Sequence, residues 1–186
     1  MDLRIKERTL TEVQTKLATM FTDLNKISYM ENALKESLTF DVKRFLYTEL
    51  SKIYSSRKMF DKAALAVANK IAITTTFREK IETYIQAGEL FAKAARLLES
   101  EQMFNKAIGE GNTREKEMIK QKMISTFLEN AEQLDREGKR THSVKFYERL
   151  LTMPIPDAKK QEIKQKILPI YKALGKFAEA RAIENN

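Results

Sequence analysis

Apolar residues recur along this chain at three- and four-residue steps from Leu10 almost to the end, with charged and polar positions between them. That spacing predicts helices with one buried face. Leu10, Val13, Leu17, Met20, Phe21 and Leu24 stripe a first helix, and Ile27, Met30, Leu34 and Leu38 a second. The pattern is clearest at residues 50–71, LSKIYSSRKMFDKAALAVANKI, around which the rest is organised. Leu50, Ile53 and Tyr54 share a face of one helix, and Phe60, Ala63, Ala64, Val67 and Ile71 share a face of the next. Small alanines opposite Tyr54 and Phe60 let the two backbones approach closely. Such a pair cannot bury both its faces alone and needs a like pair on either side.

The rest of the chain supplies them. Thr39 or Asp41 suits the N-cap of the helix through Tyr54. The β-branched run at 73–76 reads as a connector. A third pair carries Ile81, Tyr84, Ala87, Gly88 and Phe91, then Leu97, Leu98, Met103, Phe104, Ala107 and Ile108. Residues 109–113, GEGNT, read as a loop, and Asn112 with Glu115 forms a capping box. A long helix over about 114–137 follows, striped by Met118, Ile119, Met123, Phe127, Ala131 and Leu134, and Gly138 ends it. Thr141 is the expected cap of a shorter helix with Val144, Phe146, Tyr147, Leu150 and Leu151. Pro154 and Pro156 break the pattern, and Asp157 is the expected cap of the next helix. Pro169 lies inside that helix and predicts a kink. Gly175 ends it, and Phe177, Ala180 and Ile183 begin the last. The expected hairpins are 10–38, 42–72, 77–108, 114–153 and 157–186 in one domain, 1–186.

Composition narrows the class. The 186 residues include 42% hydrophobic and 32% charged positions, with only five Gly and three Pro, which fits an all-α fold. Lys and Arg number 34 against 26 Asp and Glu, a net charge of +8. That balance raises the prospect of anionic partners only slightly. There is no Cys, so disulfides, thiol nucleophiles and Cys-based metal sites are excluded. No apolar run reaches the ~18 residues a membrane helix needs, and the charged N-terminus is not a secretory signal. A cytoplasmic protein away from the membrane is expected.

Aligning the pairs on their turns exposes a column. Phe21, Tyr54, Phe91, Leu134 and Tyr171 stand 33, 37, 43 and 37 residues apart. Six residues after each come Ile27, Phe60, Leu97, Arg140 and Phe177; nine after, Met30, Ala63, Ser100, Ser143 and Ala180. With Leu50-Ser51-x-x-Tyr54, Phe60-x-x-Ala63, Ala87-Gly88-x-x-Phe91 and Tyr171-x-x-x-Gly175-x-Phe177-x-x-Ala180, the chain from about Thr11 onward resembles the tetratricopeptide repeat family. Leu168, Arg140 and Lys70 depart from its pattern. The column also fits a neighbouring class of helical-hairpin solenoids, such as the helical part of proteasome-lid-like subunits.

The resemblance implies a right-handed superhelix of about ten helices in antiparallel hairpins, a TPR-like α-solenoid, with first helices lining a concave groove. It would put Thr15, Thr19 and Thr22, then Thr48, Lys52 and Ser55, then Glu82, Ile85 and Glu89, then Ser125, Leu128 and Glu132 on that groove. The Lys and Asn constellation with which chaperone-binding members clamp a C-terminal carboxylate is absent.

Little in the chain points to catalysis. His142 is the lone histidine and reads as a solvated residue. Gly109-x-Gly111 lacks the Lys-Ser/Thr continuation of a phosphate loop. Lys116, Lys120 and Lys122, and then Lys159, Lys160, Lys164 and Lys166, form two basic stretches with Glu115, Glu117 and Glu162 interleaved. The reading is a non-enzymatic, cofactor-free protein–protein interaction scaffold that binds a peptide or helix of a partner in its groove. The alternative is a nucleic-acid-associated protein that uses the basic face of Lys116, Lys120, Lys159, Lys160 and Lys164. The last hairpin leaves Leu168, Ile170 and Ile183 to be covered, either by self-association into a homo-oligomer or by the rest of a longer protein.

Overall fold

A computed structural model describes residues 5–184. These form ten helices and, among the described residues, no strand. They are α1 (Leu10–Ala18), α2 (Asp23–Ala33), α3 (Phe40–Ser56), α4 (Phe60–Ile71), α5 (Phe77–Lys93), α6 (Leu97–Glu110), α7 (Thr113–Arg136), α8 (Arg140–Leu151), α9 (Asp157–Ala173) and α10 (Phe177–Glu184). From α3 onward each helix packs on its neighbour in sequence, and α5 also meets α7. The opening differs, since α1 and α2 both pack on α3.

The later pairs, α3–α4, α5–α6, α7–α8 and α9–α10, are joined by one and the same turn. Each first helix ends in a residue of positive φ: Lys58 at 58°, Ala95 at 59°, Gly138 at 74° and Gly175 at 73°. The next N–H then donates back to the column residue, Met59 to Tyr54, Arg96 to Phe91, Lys139 to Leu134 and Lys176 to Tyr171, at 2.8–2.9 Å. The positive-φ residue itself donates to the carbonyl three residues back. Both bonds together make a Schellman motif, which satisfies carbonyls the helix end leaves open. The residue that closes the motif also opens the second helix. The carbonyls of Met59, Arg96, Lys139 and Lys176 accept from Ala63, Ser100, Ser143 and Ala180.

The interior follows from this register. Tyr54, Phe91, Leu134 and Tyr171 are buried, as are Met30, Ala63, Ser100, Ser143 and Ala180. Buried Ser100 and Ser143 donate to the carbonyls of Gly88 and Ala131, each at 2.7 Å, twelve residues back in both cases. Gly88 is needed because a Cβ there would stand 2.9 Å from the ring of Phe104. Phe127 packs edge-on against Phe104 and Phe146, with centroids 6.1 and 5.4 Å away. Such aromatic pairs add about 0.5–1.5 kcal/mol each beyond burial. Helix α5 stands between two cores. Ala87, Leu90 and Phe91 belong to the core around α1–α4, whereas Ile81 and Ala92 join the one that runs through α10.

Several expectations are corrected. In the first hairpin the column fails at Phe21, although Ile27 and Met30 are buried as expected: α1 stops at Ala18, Phe21 lies in the connector and is 99% exposed, and Leu24 is exposed in α2. Thr22 is the reason. Its hydroxyl accepts from the Asn25 N–H and starts α2 four residues before Ile27 can open it. α2 also ends at Ala33 instead of reaching Leu38. Leu98, Met118 and Phe177, expected in stripes, are exposed. Leu98 and Phe177 sit in the first turn of their helices, and in α6 it is Leu97 that packs against the core. Gly109 and Glu110 are helical, so the loop shrinks to Gly111 and Asn112. Thr141 and Asp157 lie inside their helices, whose caps are Lys139 and Pro156. Thr39 does cap α3, without a side-chain bond, and the Asn112–Glu115 capping box forms with bonds of 3.0 and 2.8 Å. Pro169 sits within α9, which continues past it to Ala173.

Candidate functional site

The first helices hold most of the residues expected to face a partner. Thr15 on α1 is exposed. Thr19 is the C-cap of α1, and its hydroxyl donates to the Lys16 carbonyl at 2.7 Å. Thr48, inside α3, donates to the Arg44 carbonyl one turn back at 2.8 Å. Lys52 is exposed beside Glu49 at 2.6 Å, and Glu82 meets Arg78 at 3.4 Å. Ile85 and Leu128 are half-buried against the core. Glu89 and Glu132 reach further: Glu89 on α5 pairs with Lys122 on α7, and Glu132 on α7 pairs with Lys166 on α9, both at 2.5 Å. Arg44 on α3 likewise meets Glu79 on α5 at 3.4 Å. Each first helix from α3 to α9 is thus tied to the next by an ion pair, and α5 and α7 also pack on each other. The second helices have their own ties: Asp61 on α4 with Arg96 at the start of α6, and Glu101 on α6 with Arg149 on α8.

The lysines of the proposed basic face are spread over two helices. Lys116 and Lys120 are exposed on α7, whereas Lys159, Lys160 and Lys164 lie on α9. Lys159 pairs with Glu162 at 2.7 Å, and Lys160 approaches Asp157 at 3.9 Å. Hydrogen bonds from Lys159 and Lys166 hold the Glu162 carboxyl down at about 2, and the bonds that Lys166 donates to Glu132 and Glu162 raise its own pKa. Lys159 and Lys160 thus meet carboxylates of their own helix. His142 is exposed. Among the described residues no group of three His, Asp or Glu side chains could hold a metal ion, and no helix is long and apolar enough to cross a membrane.

One concavity was not visible in the sequence. It is a cleft of about 930 Å³ along the turn edge, where the bends of α3–α4, α5–α6 and α7–α8 come together. Met59, Phe60, Ala95 and Leu134 give it an apolar floor. A second, smaller hollow of about 640 Å³ lies between α6 and α8 beside the exposed Leu98. No local motif marks the cleft, because its walls are contributed by turns far apart in the chain. The nearest signal is the basic residue that follows or precedes each turn.

Fold and site define an all-helical protein of stacked helix pairs with a surface cleft. No family model and no curated protein sequence matches it. Among solved structures it is similar to the crystal structure of BtubC (BKLC) from P. vanneervenii, with 14% identity over 93% of this chain and 73% of that one, and a TM-score of 0.38.

Proposed function

We propose that this protein is a non-enzymatic scaffold, a tetratricopeptide-like solenoid whose first helices together hold a segment of a partner protein. The observation that carries the reading is the row of ion pairs Arg44–Glu79, Glu89–Lys122 and Glu132–Lys166, which join each first helix to the next and support a side-by-side alignment. Helices aligned in this way present one continuous face, and in a solenoid that face is the one that recognises extended or helical peptides. Between the pairs it offers hydroxyls at the α1 end and half-buried Ile85 and Leu128 further on, a mixture suited to a segment with both polar and apolar side chains. Charge reversal on the row tests this. Affinity capture with Lys52→Glu is expected to lose partners that the parent protein retains while the circular-dichroism melt stays intact, and Glu89→Lys, which also breaks the tie to Lys122, is expected to lose them with a lowered melt. Retention of every partner by both variants overturns the groove.

A further inference from the structure

The turn-edge cleft carries more positive charge than its surroundings neutralise. Lys58, Lys62, Lys93, Arg136 and Lys139 line it, contributed by three different hairpins. Of its three acids, Asp61 is taken by Arg96 at 2.5 Å, and Glu137 by Lys139 at 2.8 Å. Among the described residues, Lys58, Lys62, Lys93 and Arg136 have no carboxylate within ion-pair distance. Two of the lysines lie instead over aromatic rings, Lys93 over Phe60 at 5.9 Å and Lys62 over Tyr54 at 5.5 Å. Cations parked on rings at the rim keep their charge and can turn toward an anion, and the apolar floor lies directly beneath them.

We propose that this cleft docks an acidic segment of a partner protein in which an apolar side chain lies among the carboxylates. The apolar residue occupies the floor at Met59, Phe60 and Leu134, and the carboxylates meet Lys58, Lys93 and Arg136. This site is separate from the first-helix face, and its existence does not depend on that reading. Charge complementarity selects the occupant. A second copy of this chain, at +8, meets net repulsion. A nucleic-acid backbone needs an unbroken basic track and open aromatic faces for stacking. Here Glu129 and Glu137 interrupt the track, and Phe60 is the single aromatic side chain among the described lining residues. Carboxylates on a peptide can be spaced to avoid both acids.

The test is fluorescence anisotropy on the full chain. The probes are a short labelled peptide of Asp and Glu around Leu, the same peptide with Ser for Leu, and an oligothymidine. The Leu peptide is expected to bind, to weaken as salt is added, and to lose about tenfold in affinity in Arg136→Glu or Lys93→Glu. Lys58→Gly gives a readout that a structural role cannot mimic. It removes a charge and also relieves a left-handed residue, so binding should fall while the melting temperature rises. Lys52→Glu, on the first-helix face, should leave the affinity unchanged, which separates failure here from failure of the groove. Unaltered peptide binding in Arg136→Glu, Lys93→Glu and Lys58→Gly overturns the proposal. So does equal binding of the Ser peptide, or tighter binding of oligothymidine that the same substitutions abolish.

Discussion

Between α1 and α2 the chain turns over four residues and leaves Phe21 in water; between α3 and α4 it turns over three and buries Tyr54 to 3% exposure. Both residues belong to the same sequence column. The later turn closes with a Schellman motif, whose reverse bond from Met59 to the Tyr54 carbonyl fixes the last turn of the helix, and with it the side chain, toward the neighbouring pair. No residue of positive φ follows α1, so nothing winds its last turn in that way. Instead Thr22 caps α2 early. The difference teaches that the column is set by the turn as much as by hydrophobicity. An aromatic residue at the right spacing stays outside when the turn is of another kind.

The largest effect should therefore separate these two residues. Tyr54→Ala removes a buried ring, along with a hydroxyl that donates to Glu31, and should cost roughly 3–5 kcal/mol. Phe21→Ala should stay within about 0.5 kcal/mol, as exposed substitutions do. Urea denaturation followed by circular dichroism measures both. Equal losses would break the comparison and return Phe21 to the core.

A smaller effect probes how closely the later pairs approach. Gly88→Ala places a methyl group 2.9 Å from two carbons of the Phe104 ring, which is itself wedged against Phe127. Overpacking of that kind costs about 1–3 kcal/mol. The corresponding positions Ser51 and Ala131 already carry a Cβ, so the crowding is particular to α5–α6. A melting temperature unchanged by Gly88→Ala would mean that α6 can move away freely.

Much of this architecture was legible in the residues. The stripes at three- and four-residue spacing located all ten helices, because each buries one face and the core tolerates little else. Gly138 and Gly175 marked two turns through their backbone freedom. Lys58 and Ala95 gave no such signal, although they adopt the same conformation, since neighbouring bonds hold them there against an unfavourable φ. Leu98, Met118 and Phe177 lie in stripes yet stay exposed, because periodicity gives the direction of a face and not the extent of its cover. Individual first-helix residues could be listed from the family pattern. Their ties from helix to helix, Glu89 to Lys122 and Glu132 to Lys166, could not be read from spacing. The turn-edge cleft was invisible for a related reason: Lys58, Lys93 and Arg136 are brought together only by stacking.

The two kinds of turn residue make the next prediction a matched pair. Gly138→Ala and Gly175→Ala meet nothing within 4 Å, so their cost is conformational alone, about 1–2 kcal/mol. Ala95→Gly should give a gain of comparable size or somewhat less, because glycine adopts a φ of 59° without strain but loses more entropy on folding. Differential scanning calorimetry should move the melting temperature down for the first two and up for the third. Movement in the same direction for all three would mean that the turns are not equivalent.

The smallest effect concerns α9, where the last first helix is tied to α7. Lys159 and Lys166 donate to Glu162 at 2.7 and 2.8 Å, and these bonds hold its carboxyl at about 2, below its ordinary 4.5. A carboxyl with a depressed folded-state pKa contributes stability that is fully present above its unfolded value. That contribution must fade as pH falls from about 4.5 toward 2. Glu162 is exposed to solvent screening, so the change is small and diminishes further in salt. The variant Glu162→Gln should melt slightly below the parent at pH 7 and converge with it near pH 2, with the gap closing at lower ionic strength more steeply than at higher. Parallel melting curves for parent and variant across that window would show that Lys166 is held by Glu132 alone, and that the α7–α9 tie is independent of the pairs within α9.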